Sequence, residues 1–303
     1  MFWLPITILS YFLFAIVALV DKYLLGGPIP SPKVYSFYVG TLGILALALI
    51  PFGFLIPQPL DIVLSLLAGA IFIFALLGFY TALRLFEASR VVPAIGGFLP
   101  LFTFGLIFLF SWGKETLSLP DLIAFIFLIL GSVIIALGKE RSITLKSLQI
   151  SALAAFLFSL AFVLTKFVYL EQPFWSGFIW MRIGGFFIAL FFLFSKEVRE
   201  EIFRKRVSFK QKTAGLFLSN QVLAAGAFIS QNWAIALAPL IYLAMINALE
   251  GIKYFFLLIF VIILSLKFPQ IIKEEISRKV LLQKIIAILL IGIGLTVLAF
   301  HIK

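Results

Sequence analysis

Glu250 and Lys253 lie three residues apart in the middle of an apolar stretch that runs from Pro239 to Leu266 and is closed by Lys267. At about 1.5 Å per residue a helix of that length crosses a bilayer. The spacing of three puts both side chains on one helical face, where opposite charges offset each other. An ionisable group at such depth faces protein or a water-filled cavity, because lipid cannot solvate it. Two readings follow from the pair alone: it lines a translocation cavity, or it locks one helix to another.

Other polar residues in apolar surroundings extend the set. Arg182 falls eight residues into an apolar run that begins at Phe174. It needs a carboxylate, water or a carbonyl, and Glu250 is the expected partner. Lys22 and Lys166 hold matching places near the ends of two apolar segments. They would attract an anionic group toward each mouth of a cavity, or else snorkel to the headgroups. Asn220 and Gln231 are eleven apart and share a helical face, whereas Gln221 and Gln231 stand about 80° apart around it. Asn247 precedes Glu250 by three, on the same face. Amides of this kind bind ligands or glue helices together. Tyr80, with Tyr242 and Trp233, could stack on a ligand or sit at the membrane interface. Gly69, Gly96, Gly97, Gly184 and Gly185 permit close helix approach.

The composition sets the class. Of 303 residues, 63% are hydrophobic and 12% charged, which a soluble domain of this size cannot accommodate. The apolar runs are long and continuous, so helices are expected rather than the short alternating strands of an outer-membrane barrel. Cysteine is absent, which excludes disulfides and thiolate metal sites, and His301 is the single histidine. No metal and no cofactor is expected. No Ser-His-Asp set, paired-carboxylate site, HExxH or phosphate loop is present, so enzyme chemistry has no support. The net charge of +11 accompanies no soluble basic domain, so nucleic acid is not an expected partner.

Ten apolar segments are read at roughly 3–20, 34–57, 60–83, 91–111, 118–137, 148–168, 174–195, 213–237, 239–266 and 284–301. The first lacks a basic leader and reads as a spanning helix rather than a cleaved signal. Pro120 suits the first turn of segment five. Short interfacial helices are expected after Lys196, with Val198, Ile202 and Phe203 on one side, and after Lys267. Two repeats are expected, 1–138 and 147–303. Phe12-Leu13-Phe14 followed by Lys22 matches Phe156-Leu157-Phe158 followed by Lys166 at an offset of 144, which Gly40 and Gly184 share. Five helices per repeat would invert the second half relative to the first. Of 24 Lys and Arg, 19 fall in odd-numbered connections and one, Lys114, in an even one. By the positive-inside bias the odd connections are cytoplasmic and both termini outside.

The stretch ALRLFEASRVVPAIGGFLPLFTFGLIFLFSWGKETLSLPDLIAFIFLILGSVIIAL, residues 82–137, carries a small-residue hairpin and then a helix with an internal Pro100-Leu101-Phe102. A turn at Gly113-Lys114-Glu115 follows, and then a helix containing Gly131. Together with the segments at 231–266 and 291–299, this resembles the EamA-like permeases of the drug/metabolite transporter superfamily. The resemblance implies ten helices around a central cavity, with segments five and ten as outer supports, and alternating access without ATP. It departs at Glu250, which stands where segment four has Pro100, and it implies cytoplasmic termini, against the charge bias.

The expectation is therefore an all-α polytopic membrane protein of ten transmembrane helices in two inverted five-helix repeats, in the inner (plasma) membrane, as monomer or homodimer. It would be a secondary transporter of small organic metabolites, anionic or amino-acid-like. Glu250 would couple to protons or another ion, and Arg182 and Lys166 would orient an anionic part of the substrate. The other class of reading is a passive channel or a lipid-handling scaffold.

Overall fold

A computed structural model describes residues 2–26, 31–85, 88–136, 145–204, 211–267 and 278–301. All regular structure among them is helical. The order is α1 (Trp3–Gly26), α2 (Pro32–Leu42), a 3-10 stretch (Gly43–Phe52), α3 (Pro59–Leu85), α4 (Ala88–Phe110), α5 (Leu119–Ala136), α6 (Leu145–Glu171) and α7 (Phe174–Phe191). Then come a single turn α8 (Lys196–Arg199), α9 (Gln211–Leu237), α10 (Leu243–Ala248), α11 (Glu250–Lys267) and α12 (Arg278–His301). This is a polytopic α-helical membrane protein. Among the described residues seven helical stretches are long and apolar enough to span a bilayer, and α4, α5 and α12 each contain a shorter apolar core, Ala94–Phe110, Leu119–Ile134 and Ile285–Leu298.

Local chemistry sets the helix ends. Ser31 caps α2 by accepting from the Val34 amide at 3.4 Å, with Pro32 in the first turn. The Ser118 hydroxyl accepts from the Asp121 amide at the start of α5, and Pro120 lies in the first turn there, as the sequence predicts. After α4 the chain reverses through Trp112 and Gly113, both at positive φ, and the Gly113 amide closes on the Phe108 carbonyl at 2.8 Å. Segment nine is not one helix: a turn at Leu249 separates α10 from α11. After Lys196 the backbone makes only α8 and a π turn over Glu200–Arg204. Val198 is buried there and Phe203 exposed. The interfacial helix expected after Lys267 falls on residues 268–277, which lie outside the described residues.

The halves interleave. α3 packs on α6 and α7, α1 on α9, α4 on α6, α5 on α12, and α11 on α1 and α5. The short α10 is wholly buried, from Leu243 to Ala248. Large apolar side chains such as Leu45, Leu67, Phe187 and Ile293 are exposed on the bundle's outside, where lipid takes the place of water.

The α3–α7 crossing is a close one. A Cβ on Gly69 would overlap the Met181 carbonyl, and one on Gly184 would overlap the Leu66 carbonyl. Only glycine lets these backbones touch, as the sequence pattern of small residues anticipates.

Candidate functional site in the bundle interior

A cavity of about 970 Å³, its open side included, lies among α1, α2, α3, α4, α6, α9 and α11. Its inner end is near the middle of the bundle, at Tyr11, Gln231 and Glu250. It extends to Asp21 near the C-terminal end of α1 and Gln221 in the N-terminal half of α9. Eight of its twenty lining residues are aromatic, among them Phe72, Tyr80, Phe158 and Phe228. Apolar walls with a few placed polar groups are the usual build of a small-molecule site.

The charged pair sits where the helix is interrupted. Glu250 opens α11, so its carboxylate lies at the positive end of that helix dipole. Lys253, one turn on, donates to Glu250 Oε1, and its ammonium lies 5.1 Å from the Tyr254 ring centroid. Glu250 Oε2 is buried. Side chains from other helices meet the carbonyls around the break. Tyr11 donates to the Ile246 carbonyl at 2.8 Å and Ser132 to the Ala248 carbonyl at 3.0 Å. These bonds replace the helical ones that the turn removes.

A second polar cluster lies at the other end of the cavity. Tyr35 and Asn220 both donate to Asp21 Oδ1, the latter at 2.7 Å. Among the described residues no cation pairs with Asp21. Sequence reading missed both Asp21 and Tyr35. Segment one reads as ending near residue 20, with Asp21 at its edge or just within it, whereas α1 continues to Gly26 and carries Asp21 inside the bundle. The usable signal was an acidic residue at the edge of an apolar run, with Leu24 and Leu25 beyond it.

The expected site residues divide. Glu250, Lys253, Gln231 and Tyr80 line the cavity, and Asn220 is buried beside it. Asn247 is buried and donates to the Thr103 hydroxyl at 2.8 Å, joining α10 to α4. Lys166 does not reach the cavity: its ammonium donates to the Ile235 and Ala236 carbonyls at 3.1 and 3.0 Å and caps the C-terminus of α9. The Lys22 side chain lies outside the described residues.

Arg182 corrects a further expectation. It is not paired with Glu250, whose near oxygen Lys253 occupies. Instead the guanidinium carbon lies 5.3 Å from the centroids of Phe72, Phe178 and Phe228, an aromatic cage that stabilises a delocalised cation. Its Nε has no hydrogen-bond partner among the described residues. Two of those rings, Phe72 and Phe228, also face the cavity, so Arg182 sits behind the cavity wall.

The opposite end of the bundle is packed shut. Besides the Gly69 and Gly184 contacts, Gln172 donates to Ser65 at 2.7 Å and to the Asp61 carbonyl at 3.2 Å, and the Leu55 amide donates to Ser176 at 2.8 Å. Trp233 lies against Phe174 and Trp175, and Tyr242 stacks on Trp3. Neither of these two aromatics faces the cavity.

No family model matches the chain, and no curated protein matches it. A solved crystal structure of a protein is similar in fold, with a TM-score of 0.66 at 15% identity, over 98% of this chain and 96% of that one. At that identity the likeness concerns fold alone.

Proposed function

We propose that this chain is a secondary active transporter of small organic metabolites, working by alternating access through the central cavity. The observation that carries the reading is the Glu250–Lys253 pair. It lies deep in a polar-spotted cavity, at the N-terminus of a helix interrupted near the middle of the bundle. Discontinuous helices whose termini point at the substrate site are a recurrent build of secondary transporters.

The contact pattern supports two inverted five-helix repeats, with α1, α2, α3, α4 and α5 matched to α6, α7, α9, α10–α11 and α12. Under that matching, the packing of α1 on α9 is the counterpart of α6 on α3, and α4 on α6 that of α11 on α1. The pair α5–α12 is its own counterpart. The Asn247–Thr103 bond joins positions 144 apart, the offset that also relates Lys166 to Lys22. Several pairs depart from that matching, and one of them is informative. α3 and α7 are tightly packed, while their counterparts α9 and α2 make far sparser contact among the described residues, Tyr35 and Tyr38 touching Phe217. An alternating transporter differs between its two states at such a place. The loose likeness to EamA-like permeases points the same way.

A thermal-shift screen of the purified protein against metabolites of each charge class would supply a ligand, and flux of that ligand into proteoliposomes is the test. Glu250→Gln is expected to abolish the response of flux to a proton gradient. Undiminished, fully pH-coupled flux in that variant would remove the proposal's coupling residue. Flux that never saturates would favour a passive channel.

A further inference from the structure

We infer that the cavity is a site for organic cations, an ammonium head on an apolar or aromatic body, with the Asp21 carboxylate as counter-ion. This rests on the reading of the cavity as a substrate site and specifies the chemistry it accepts.

The charges of the lining decide the class. Among the described lining residues Asp21 and Glu250 are acidic and Lys253 is basic. Lys253 is bound to Glu250, which leaves one uncompensated negative charge, at Asp21. That carboxylate is held rather than neutralised. Its two bonds come from neutral donors, Tyr35 and Asn220, and both fall on Oδ1. Oδ2 takes no hydrogen bond from a described residue, and an ionised carboxylate has acceptor capacity for it to use. A cationic donor is the partner that gains most there, because a charge-assisted bond is stronger than a neutral one.

The walls suit the same ligand. Tyr80 and Phe79 stand beside each other on α3 with ring centroids 5.6 Å apart, and the Tyr35 ring meets Tyr80 at 4.9 Å. Rings close to a carboxylate offer a cation both Coulomb attraction and the negative faces of their π systems. An anionic ligand meets the reverse. Lys166 is engaged by two carbonyls, Lys253 by Glu250, and Arg182 lies behind Phe72 and Phe228 with its charge spread over ring faces.

The test is equilibrium binding to the purified full chain, with 2-phenylethylammonium, whose ammonium carries three N–H donors, as probe and phenylacetate as its anionic counterpart of similar size. Saturable binding of the cation, at least about tenfold tighter than phenylacetate, is expected. Asp21→Asn keeps an acceptor for Tyr35 and Asn220 but removes the charge, and should weaken cation binding by at least about tenfold. Phenylacetate binding as tight as the cation's, no saturable cation binding, or an Asp21→Asn variant that binds the cation like the parent would each overturn the inference. Should Asp21→Asn fail to fold, the cation-to-anion ratio of the parent protein decides by itself. Flux separates the two proposals: a cation that binds through Asp21 but never crosses leaves this inference standing and removes transport. Saturable flux of a neutral or anionic solute, with no cation binding, does the opposite.

Discussion

The Lys166 ammonium lies 3.1 Å from the Ile235 carbonyl oxygen, at the end of α9. A lysine buried on α6 thus supplies the donors that the last turn of α9 lacks. Lys166→Met should lower stability by about 1–3 kcal/mol, since two carbonyls lose a charged donor in an apolar setting. The check is a thermal melt in detergent, followed through tryptophan fluorescence. An unchanged melt with lost ligand binding would place Lys166 in the substrate site instead.

The Glu250–Lys253 pair should show strong coupling. Removing one partner leaves the other charge buried and alone, at a cost of about 3–5 kcal/mol, whereas removing both leaves none. Lys253→Met alone is therefore expected to melt lower than Glu250→Gln/Lys253→Met together. A double variant no more stable than the singles would show that each residue is solvated independently.

Arg182 is caged by three rings and has no carboxylate partner among the described residues. Arg182→Met should leave stability unchanged or raise it, because it removes a buried charge without orphaning another. Arg182→Lys should be worse than Arg182→Met, since a compact ammonium does not spread over ring faces as guanidinium does. Melting curves of the two variants decide the order.

Gly69→Val should be severely destabilising or should force α3 away from α7, because its Cβ would occupy the space of the Met181 carbonyl. Overpacking of a closed contact costs about 1–3 kcal/mol, and more where backbone must move. Gly105 meets nothing within 4 Å, so Gly105→Ala is the control and should be tolerated.

Some of this was written in the chain itself. Its apolar runs fixed the membrane class, because nothing but helices satisfies a backbone across a bilayer. The spacing of Glu250 and Lys253 fixed their pairing, because residues three apart on a helix meet whatever the surroundings. Gly69 and Gly184 were legible as contact points from size alone.

Tertiary structure decided the rest. Asp21, Tyr35 and Asn220 are brought together from α1, α2 and α9, separations of 14 and 199 residues that no local periodicity encodes. It gave Lys166 to the end of α9 and Arg182 to Phe72, Phe178 and Phe228, although both read as substrate cations in one dimension. A buried charge takes whichever partner the packed helices bring to it, and that choice depends on crossings between distant elements. The break at Leu249 likewise persists because Tyr11 and Ser132, from helices remote in sequence, satisfy the carbonyls around it.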